Sequence, residues 1–541
     1  MGTTRHSLTN SVSHAAIGQL QRLGVDTVFG IPGVHNQGLY DALIDSPDIR
    51  SIVSRHEQGA AFMADGYARA SGRVGVCFVI TGPGLTNAAT ALGEAYADSV
   101  PLLCVVTCYR EPLVGRTRRL HDLKNQSQLL SGLVKETFRV ATPQDIGSAL
   151  EAALQKAVAG RPGPVAVEIP LEFLDIEAEP ETALASAVLG ATSTSGARRT
   201  QTAYQEPPES AEALQMLEAG KLPVVIVGGG ATRAAGQVID FVDRLQALVV
   251  STAAGKGIVP HRHPLNLGAW LKATEVQKLI ARADPLIMLG TEWSPTDLGE
   301  HPVSLPANTI RLNTDTDIPP ISGVTIRAEV GPTLAAWTLK LAQRKPYTDQ
   351  MNVANLRATT LREPRRWPTE VPGYLEAMHN ILAQDAIIVN DMNTLSYAAV
   401  ERYPSNAPGT FFFPRGYGTL GYALPAAIGA RSACPDQQVV AICGDGGFLF
   451  SSEELATAAR YGMNLPIVIW NNHSFGAIRA TRSAAYGRSV DDDLLNPDFV
   501  RLAEAYGCHG VRVTDPAGFS VELSAALVRS GPTLIEIDAP L

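Results

Sequence analysis

The stretch GDGGFLFSSEELATAARYGMNLPIVIWNN, residues 444 to 472, sets an aspartate between glycines at the end of one apolar run and an asparagine pair at the end of the next. Where a strand, a helix and a second strand fill that interval, Asp445 and Asn472 arrive at the carboxyl ends of neighbouring parallel strands, which is where open α/β sheets bind ligands. Asp445, Asn472 and the carbonyl of Ser474 are hard oxygen donors of the kind Mg²⁺ prefers. Gly444, Gly446 and Gly447 let backbone N–H groups approach a diphosphate. Ser451 and Glu454 have the spacing of a capping box for the intervening helix. The competing reading is a turn followed by an unrelated asparagine pair.

A second group of candidates lies early in the chain. In RHEQGAAFMADGYAR, residues 55 to 69, Glu57 opens a stretch of small and apolar residues. A carboxylate there is poorly solvated, which favours its neutral form and suits a proton shuttle; a glutamate that only caps the helix is the alternative. RRLHDLKNQSQLLSGLVK carries His121, Asp122 and Gln126. Histidine titrates near neutral pH, so His121 suits acid–base work, against the reading of a lone surface histidine. His35, in GIPGVHN, is a candidate pocket residue.

Elements must bring these residues together. Continuous apolar runs such as VGVCFVI, PLLCVVTC, PVVIVGGG, PLIMLG, AIIVND and LPIVIWNN alternate with amphipathic stretches, as strands buried on both faces of a parallel sheet require. The expected fold is α/β, with three doubly wound domains on parallel sheets at residues 1–181, 205–345 and 355–541. The Ser-, Thr-, Ala- and Pro-rich residues 182 to 210 read as a linker, and a second polar stretch near residue 350 separates the last domain. With 45% apolar and 18% charged residues over 541, a large core is available, and a net charge of -9 argues against a nucleic-acid-binding surface. No run is apolar and long enough to span a membrane, and the N-terminus lacks a signal-peptide core. The six cysteines form no CxxC pair and read as buried free thiols of a reducing cytoplasm.

The GDG-to-NN block and the Glu57 segment together resemble the thiamine diphosphate-dependent enzymes, in the superfamily of acetolactate synthases and of benzoylformate and pyruvate decarboxylases. The resemblance spans the chain and implies a pyrimidine-binding first domain, a central domain and a diphosphate-binding third domain. It implies Mg²⁺ on Asp445, Asn472 and Ser474, and cofactor contacts at Pro32, Asn87, Asn393, Thr394, Gly444, Gly446, Gly447 and Asn471. Leu420, in GYGTLGYALPAAIGA, becomes the apolar support beneath the folded cofactor, unless it only packs a helix. Glu57 becomes the residue that promotes the imino tautomer of the aminopyrimidine. In such relatives the glutamate and the GDG motif of one site come from different subunits, which implies at least a homodimer, and by resemblance a homotetramer.

The same resemblance implies a 2-oxo acid substrate. Once CO₂ leaves, a proton donor gives an aldehyde, whereas a second carbonyl gives a carboligation product. His121 and Asp122 occupy a region similar to the one where pyruvate decarboxylases carry two histidines, and Gln126 echoes a motif of acetolactate synthases. HSFGAIRA resembles the benzoylformate decarboxylase pattern, with Ala477 and Ile478 where pyruvate decarboxylases have a catalytic glutamate. GIPGVHN, RHEQGAAFMADGYAR, ITGPGLTNAAT and LHDLKNQS are most similar to the 5-guanidino-2-oxopentanoate decarboxylases. A substrate of that kind needs a carboxylate for its cationic tail, from Asp122 or from Asp491, Asp492 and Asp493, although an acidic run is more often solvated surface. The expected activity is decarboxylation; a carboligase acting on pyruvate and a catalytically silent scaffold are the alternatives. VGGGATRAAG is too loose for a dinucleotide fingerprint, and GTEWSPTD stands where acetolactate synthases have an RFDDR-like segment, so FAD is not expected.

Overall fold

In the computed structural model, which describes residues 10–110, 119–178, 204–293, 297, 305–345, 353–361 and 367–539, the continuous apolar runs become strands. The first sheet holds β1 (Thr27–Gly30), β2 (Arg50–Val53), β3 (Gly75–Val79), β4 (Leu102–Cys108), β5 (Thr137–Arg139) and β6 (Pro164–Pro170), in the order β2-β1-β3-β4-β6-β5. The second holds β7 (Val224–Val227), β8 (Leu248–Ser251), β9 (Leu286–Leu289), β10 (Thr309–Leu312) and β11 (Val324–Ile326), in the order β11-β10-β9-β7-β8. The third holds β12 (Ile387–Asn390), β13 (Phe411–Phe412), β14 (Val439–Gly444), β15 (Leu465–Asn471), β16 (His509–Val513) and β17 (Pro532–Asp538), in the order β13-β12-β14-β15-β17-β16. The strand pairings are parallel throughout, and β3, β4, β6, β14 and β15 are buried at every position, as helices on both faces require.

Each sheet therefore winds in both directions from a switch point. It lies between β1 and β3, between β7 and β9, and between β12 and β14. In doubly wound sheets the loops leaving such strands part and open a crevice.

The chain divides into two compact units, one of Met1–Thr200 with Leu424–Cys434 and Ser451–Met463, the other of Gln201–Ala423 with Pro435–Phe450 and Asn464–Leu541. Ile17, Leu20, Phe78, Leu103, Leu150 and Leu154 belong to the core on the first sheet. On the third, Tyr374 stands edge-on to Trp470 and Phe519 at ring centroid distances of 5.8 and 5.5 Å. Burial of such side chains contributes about 1.5–3 kcal/mol each. Most of the expected linker, residues 182–203, lies outside the described residues. The polar stretch near residue 350 contains a helix, Val353–Leu361. All six cysteines are free, and Cys434 alone is half-buried. Among the described residues no helix is long and apolar enough to cross a membrane.

Candidate active site

The pairing of β14 with β15, next to the third sheet's switch point, brings the GDG and NN segments together. Asp445 follows β14 and is buried, and Asn471 and Asn472 end β15, the strand paired with β14. The Asp445 carboxyl lies above its ordinary range because of burial, opposed by the Asn496 side chain and by the N–H groups of Gly446 and Ser474. No sequence motif marks Asn496. Its Nδ2 donates to Asp445 Oδ2 at 2.8 Å and to Asn471 Oδ1 at 3.0 Å, bridging the two motif segments. Asn471 Nδ2 donates to Glu536 Oε1 at 2.7 Å, so both ends of that amide are engaged. Asn472 Oδ1 accepts from the Ser474 N–H at 3.3 Å, and the Ser474 hydroxyl donates to the Asp492 carbonyl at 2.7 Å. Positions Gly444 and Gly447 face the Asn393 and Asp391 side chains so closely that an added Cβ would stand 3.0 Å from each.

Across this crevice, after β12, Asp391 is fully buried and its carboxyl is pushed up to about 6 by burial, opposed by the N–H groups of Met392, Gly421, Ala423 and Tyr422. Its Oδ2 accepts from the Gly421 N–H at 2.9 Å, which pins the turn that carries half-buried Leu420. Asn393 caps the helix Thr394–Arg402, with Oδ1 accepting from the Ser396 N–H at 2.9 Å and Nδ2 donating to the Asp391 carbonyl at 3.1 Å.

In the first unit Glu57 begins the helix Glu57–Ser71 and is half-buried; Asn87 Nδ2 donates to its Oε2 at 2.9 Å. Pro32 is exposed on the loop after β1. Asn36 pins that loop, its Oδ1 accepting from the Gly33 N–H at 2.7 Å and its Nδ2 donating to the Ile31 carbonyl at 3.2 Å. The loop presents His35, which meets His121 at a ring centroid distance of 5.0 Å. The Nδ1 atoms of both imidazoles are buried and have no hydrogen-bond partner among the described residues. Burial, and then the neighbouring His121, hold His35 below the ordinary histidine range, with Glu172 opposing. His121 adopts a left-handed backbone with φ of 61°, a cost that structures tend to retain at functional positions. Its carbonyl would stand 2.0 Å from a Cβ at Gly82, so the loop after β3 needs glycine there. Gln126 Oε1 accepts from the Gly82 N–H at 3.1 Å, while Nε2 donates to the Thr107 carbonyl and to Glu168 Oε1, each at 3.0 Å. Gln126 thus clamps the loop on which His121 rests.

Three expectations are corrected by the geometry. The capping box does not form: the Ser451 hydroxyl has no partner among the described residues, and the Glu454 carboxylate instead accepts from the N–H groups of Arg55 and His56 and from the Thr457 hydroxyl. A buried carboxylate gains more from several donors than the single N–H at Ser451 provides. Asp122 is already held by Arg119, through Nε at 3.0 Å and a terminal nitrogen at 2.8 Å. Asp492 and Asp493 are both paired with Arg479.

Within the second unit a cavity of about 610 Å³ opens at the carboxyl end of the third sheet. Thr394, Asn472 and Ala477 line it with the acidic residues Asp297, Glu370 and Glu401 and the cations Lys272 and Arg415, of which Arg415 pairs with Asp297 at 3.3 Å.

The donor set suits a hard divalent cation. Asp445 is a buried carboxylate bonded to amides, Asn472 and Ser474 follow the neighbouring strand β15, and among the described residues no three His, Cys, Asp or Glu side chains gather at one point. Family models for the N-terminal TPP binding, central and C-terminal TPP binding domains of thiamine pyrophosphate enzymes match residues 10–133, 210–322 and 392–537. The chain is 37% identical to the probable 2-ketoarginine decarboxylase AruI of Pseudomonas aeruginosa, over 98% of this chain and 94% of that one. It is 32% identical to the acetolactate synthase large subunit of Parasynechococcus marenigrum, over 98% and 87%. The solved thiamine diphosphate-dependent 4-hydroxybenzoylformate decarboxylase of Rhodococcus jostii superposes with a TM-score of 0.81 at 26% identity, covering 98% of this chain and 99% of that one. By its strand-end motifs, its folds and these similarities, the chain belongs to the thiamine pyrophosphate enzyme family.

Proposed function

We propose that this protein is a thiamine diphosphate- and Mg²⁺-dependent decarboxylase that converts 5-guanidino-2-oxopentanoate to its aldehyde and CO₂. The observation that carries the reading is the His35–His121 pair, two imidazoles 5.0 Å apart with unpartnered, buried Nδ1 atoms. Similarity to a probable 2-ketoarginine decarboxylase supports the substrate. Of the acidic residues lining the cavity, Asp297 is already paired with Arg415, and Glu370 offers a carboxylate for a guanidinium tail.

When bound, thiamine diphosphate would supply carbanion chemistry and an electron sink for decarboxylation at the substrate carbonyl. Glu57, oriented by Asn87, holds the proton exchanged with the aminopyrimidine. Asp445, Asn472 and the Ser474 carbonyl hold Mg²⁺; Pro32, Asn393, Thr394, Leu420, Gly444, Gly446, Gly447 and Asn471 contact the cofactor. His121, with His35 beside it, delivers the proton that makes the product an aldehyde. The domains run over residues 1–181, 205–345 and 355–541. A cytoplasmic homodimer, assembling further to a homotetramer, is the working form, and no FAD takes part.

Similarity to acetolactate synthase favours a second reading, a carboligase that acts on pyruvate with Gln126 in its site. The test is to offer purified protein with thiamine diphosphate and Mg²⁺ pyruvate, benzoylformate, branched 2-oxo acids and 5-guanidino-2-oxopentanoate. Highest CO₂ release from the guanidino acid is expected. Acetolactate from pyruvate would select the carboligase, and no CO₂ from any substrate would select the silent scaffold.

A further inference from the structure

The start of the helix that carries Glu57 is held by a segment distant in sequence. Glu454 is fully buried, and its Oε1 accepts from the N–H groups of Arg55 at 3.0 Å and His56 at 3.1 Å. Its Oε2 accepts from the Arg55 N–H at 3.2 Å and from the Thr457 hydroxyl at 2.6 Å. A few residues on, the Tyr461 hydroxyl accepts from the Val53 N–H at 2.9 Å and donates to the Ser51 carbonyl at 3.2 Å. Both ends of the short connection from β2 to the helix are therefore tied to the segment Ser452–Tyr461. Gly59 is part of the same fit, because a Cβ there would stand 2.1 Å from Glu454 Oε1.

Helix starts leave N–H groups without intrahelical partners. Here His56 Nδ1 takes the Gln58 N–H at 3.1 Å, Glu454 takes those of Arg55 and His56, and Asn87 takes the far oxygen of Glu57. Burying a carboxylate for this is costly, where an apolar side chain would pack without penalty. Burial pushes the Glu454 carboxyl up to about 7, opposed by the Thr457 hydroxyl and the two N–H groups, with Glu453 adding to the rise. Arg55, His56, Glu57, Glu453, Tyr461 and Tyr40 are titratable groups around this end of the helix.

We infer that Glu454 is a positioning residue for Glu57: by clamping the N–H groups of Arg55 and His56 it fixes where the Glu57 carboxylate is presented. The inference rests on the reading of Glu57 as the residue that holds the cofactor's proton. Its test compares wild type, Glu454→Gln, Gly59→Ala, Glu57→Gln and the Glu57→Gln/Glu454→Gln pair. Three quantities are read: backbone amide hydrogen exchange at Arg55 and His56 in protein free of cofactor, C2 proton exchange of bound thiamine diphosphate, and its Kd.

In Glu454→Gln, which keeps the shape of the side chain, amide exchange at Arg55 and His56 rises about tenfold or more. C2 exchange slows about 10–100-fold while Kd changes by less than about threefold, and Gly59→Ala behaves alike. In the paired variant the loss of Glu454 adds nothing further to C2 exchange. C2 exchange in Glu454→Gln equal to wild type, or additive losses in the pair, would overturn the inference. Wild-type protein that exchanges C2 no faster than free thiamine diphosphate would remove the reading of Glu57, and this inference with it.

Discussion

The switch points of the second and third sheets begin from one plan and end differently. After β7 the Gly228 N–H donates to the Leu289 carbonyl at 2.9 Å and the Gly230 N–H to the Gly290 carbonyl at 3.0 Å, so two donors of that glycine turn are used by the end of β9. After β12 and β14 the crevice is instead lined by Asp391, Asn393, Asp445 and Asn472, each side chain held by hydrogen bonds. A glycine run after a strand is thus no phosphate site by itself. The chemistry follows from polar side chains at the crevice and from the buried partners that orient them.

The largest effect expected is at Glu57. Glu57→Gln lowers kcat about 10²–10⁴-fold while thiamine diphosphate affinity is largely kept, read by steady-state kinetics and cofactor titration. An unchanged kcat would place the proton-holding residue elsewhere. Asn496→Ala, which removes the bridge between Asp445 and Asn471, weakens Mg²⁺ about 10–100-fold, and saturating Mg²⁺ restores activity. Activity lost regardless of Mg²⁺ would mean that Asn496 serves only the fold.

At the second sheet the expectation is reversed. A Cβ at Gly230 would stand 3.0 Å from the Gly290 backbone, so Gly230→Ala costs about 1–3 kcal/mol of stability in denaturant titration and leaves cofactor affinity alone. A changed affinity would erase the contrast between the two crevices. The smallest effect concerns Asp391, whose folded carboxyl, at about 6, lies above its ordinary 3.8. The stabilisation from its proton is full below 3.8 and is lost as pH rises through about 6. Asp391→Asn flattens that part of the Tm-against-pH curve; an unaltered slope would contradict the assignment.

The third-sheet motif was legible because it is local: GDG and NN mark the ends of two adjacent strands, and the runs VVAIC and LPIVIW announce those strands. Asn496 and Asp391 escaped notice because their partners are set by strand order and by long connections. His35 and His121 are each visible as residue types, but only the fold brings the loop after β1 and the segment after β4 close enough for their rings to meet. Ser451 and Glu454 misled in the opposite way. Their spacing fits a local cap, yet the carboxylate found the N–H groups of Arg55 and His56 far away in sequence.

The central claim, that the histidine pair makes this chain a decarboxylase, is tested most directly by the aldehyde-to-CO₂ ratio with 5-guanidino-2-oxopentanoate in wild type and in His121→Phe. The account predicts equal aldehyde and CO₂ in wild type, and in the variant a kcat lower by about 10²-fold with carbon diverted to ligation when a second aldehyde is added. A variant with the wild-type rate and ratio would contradict it.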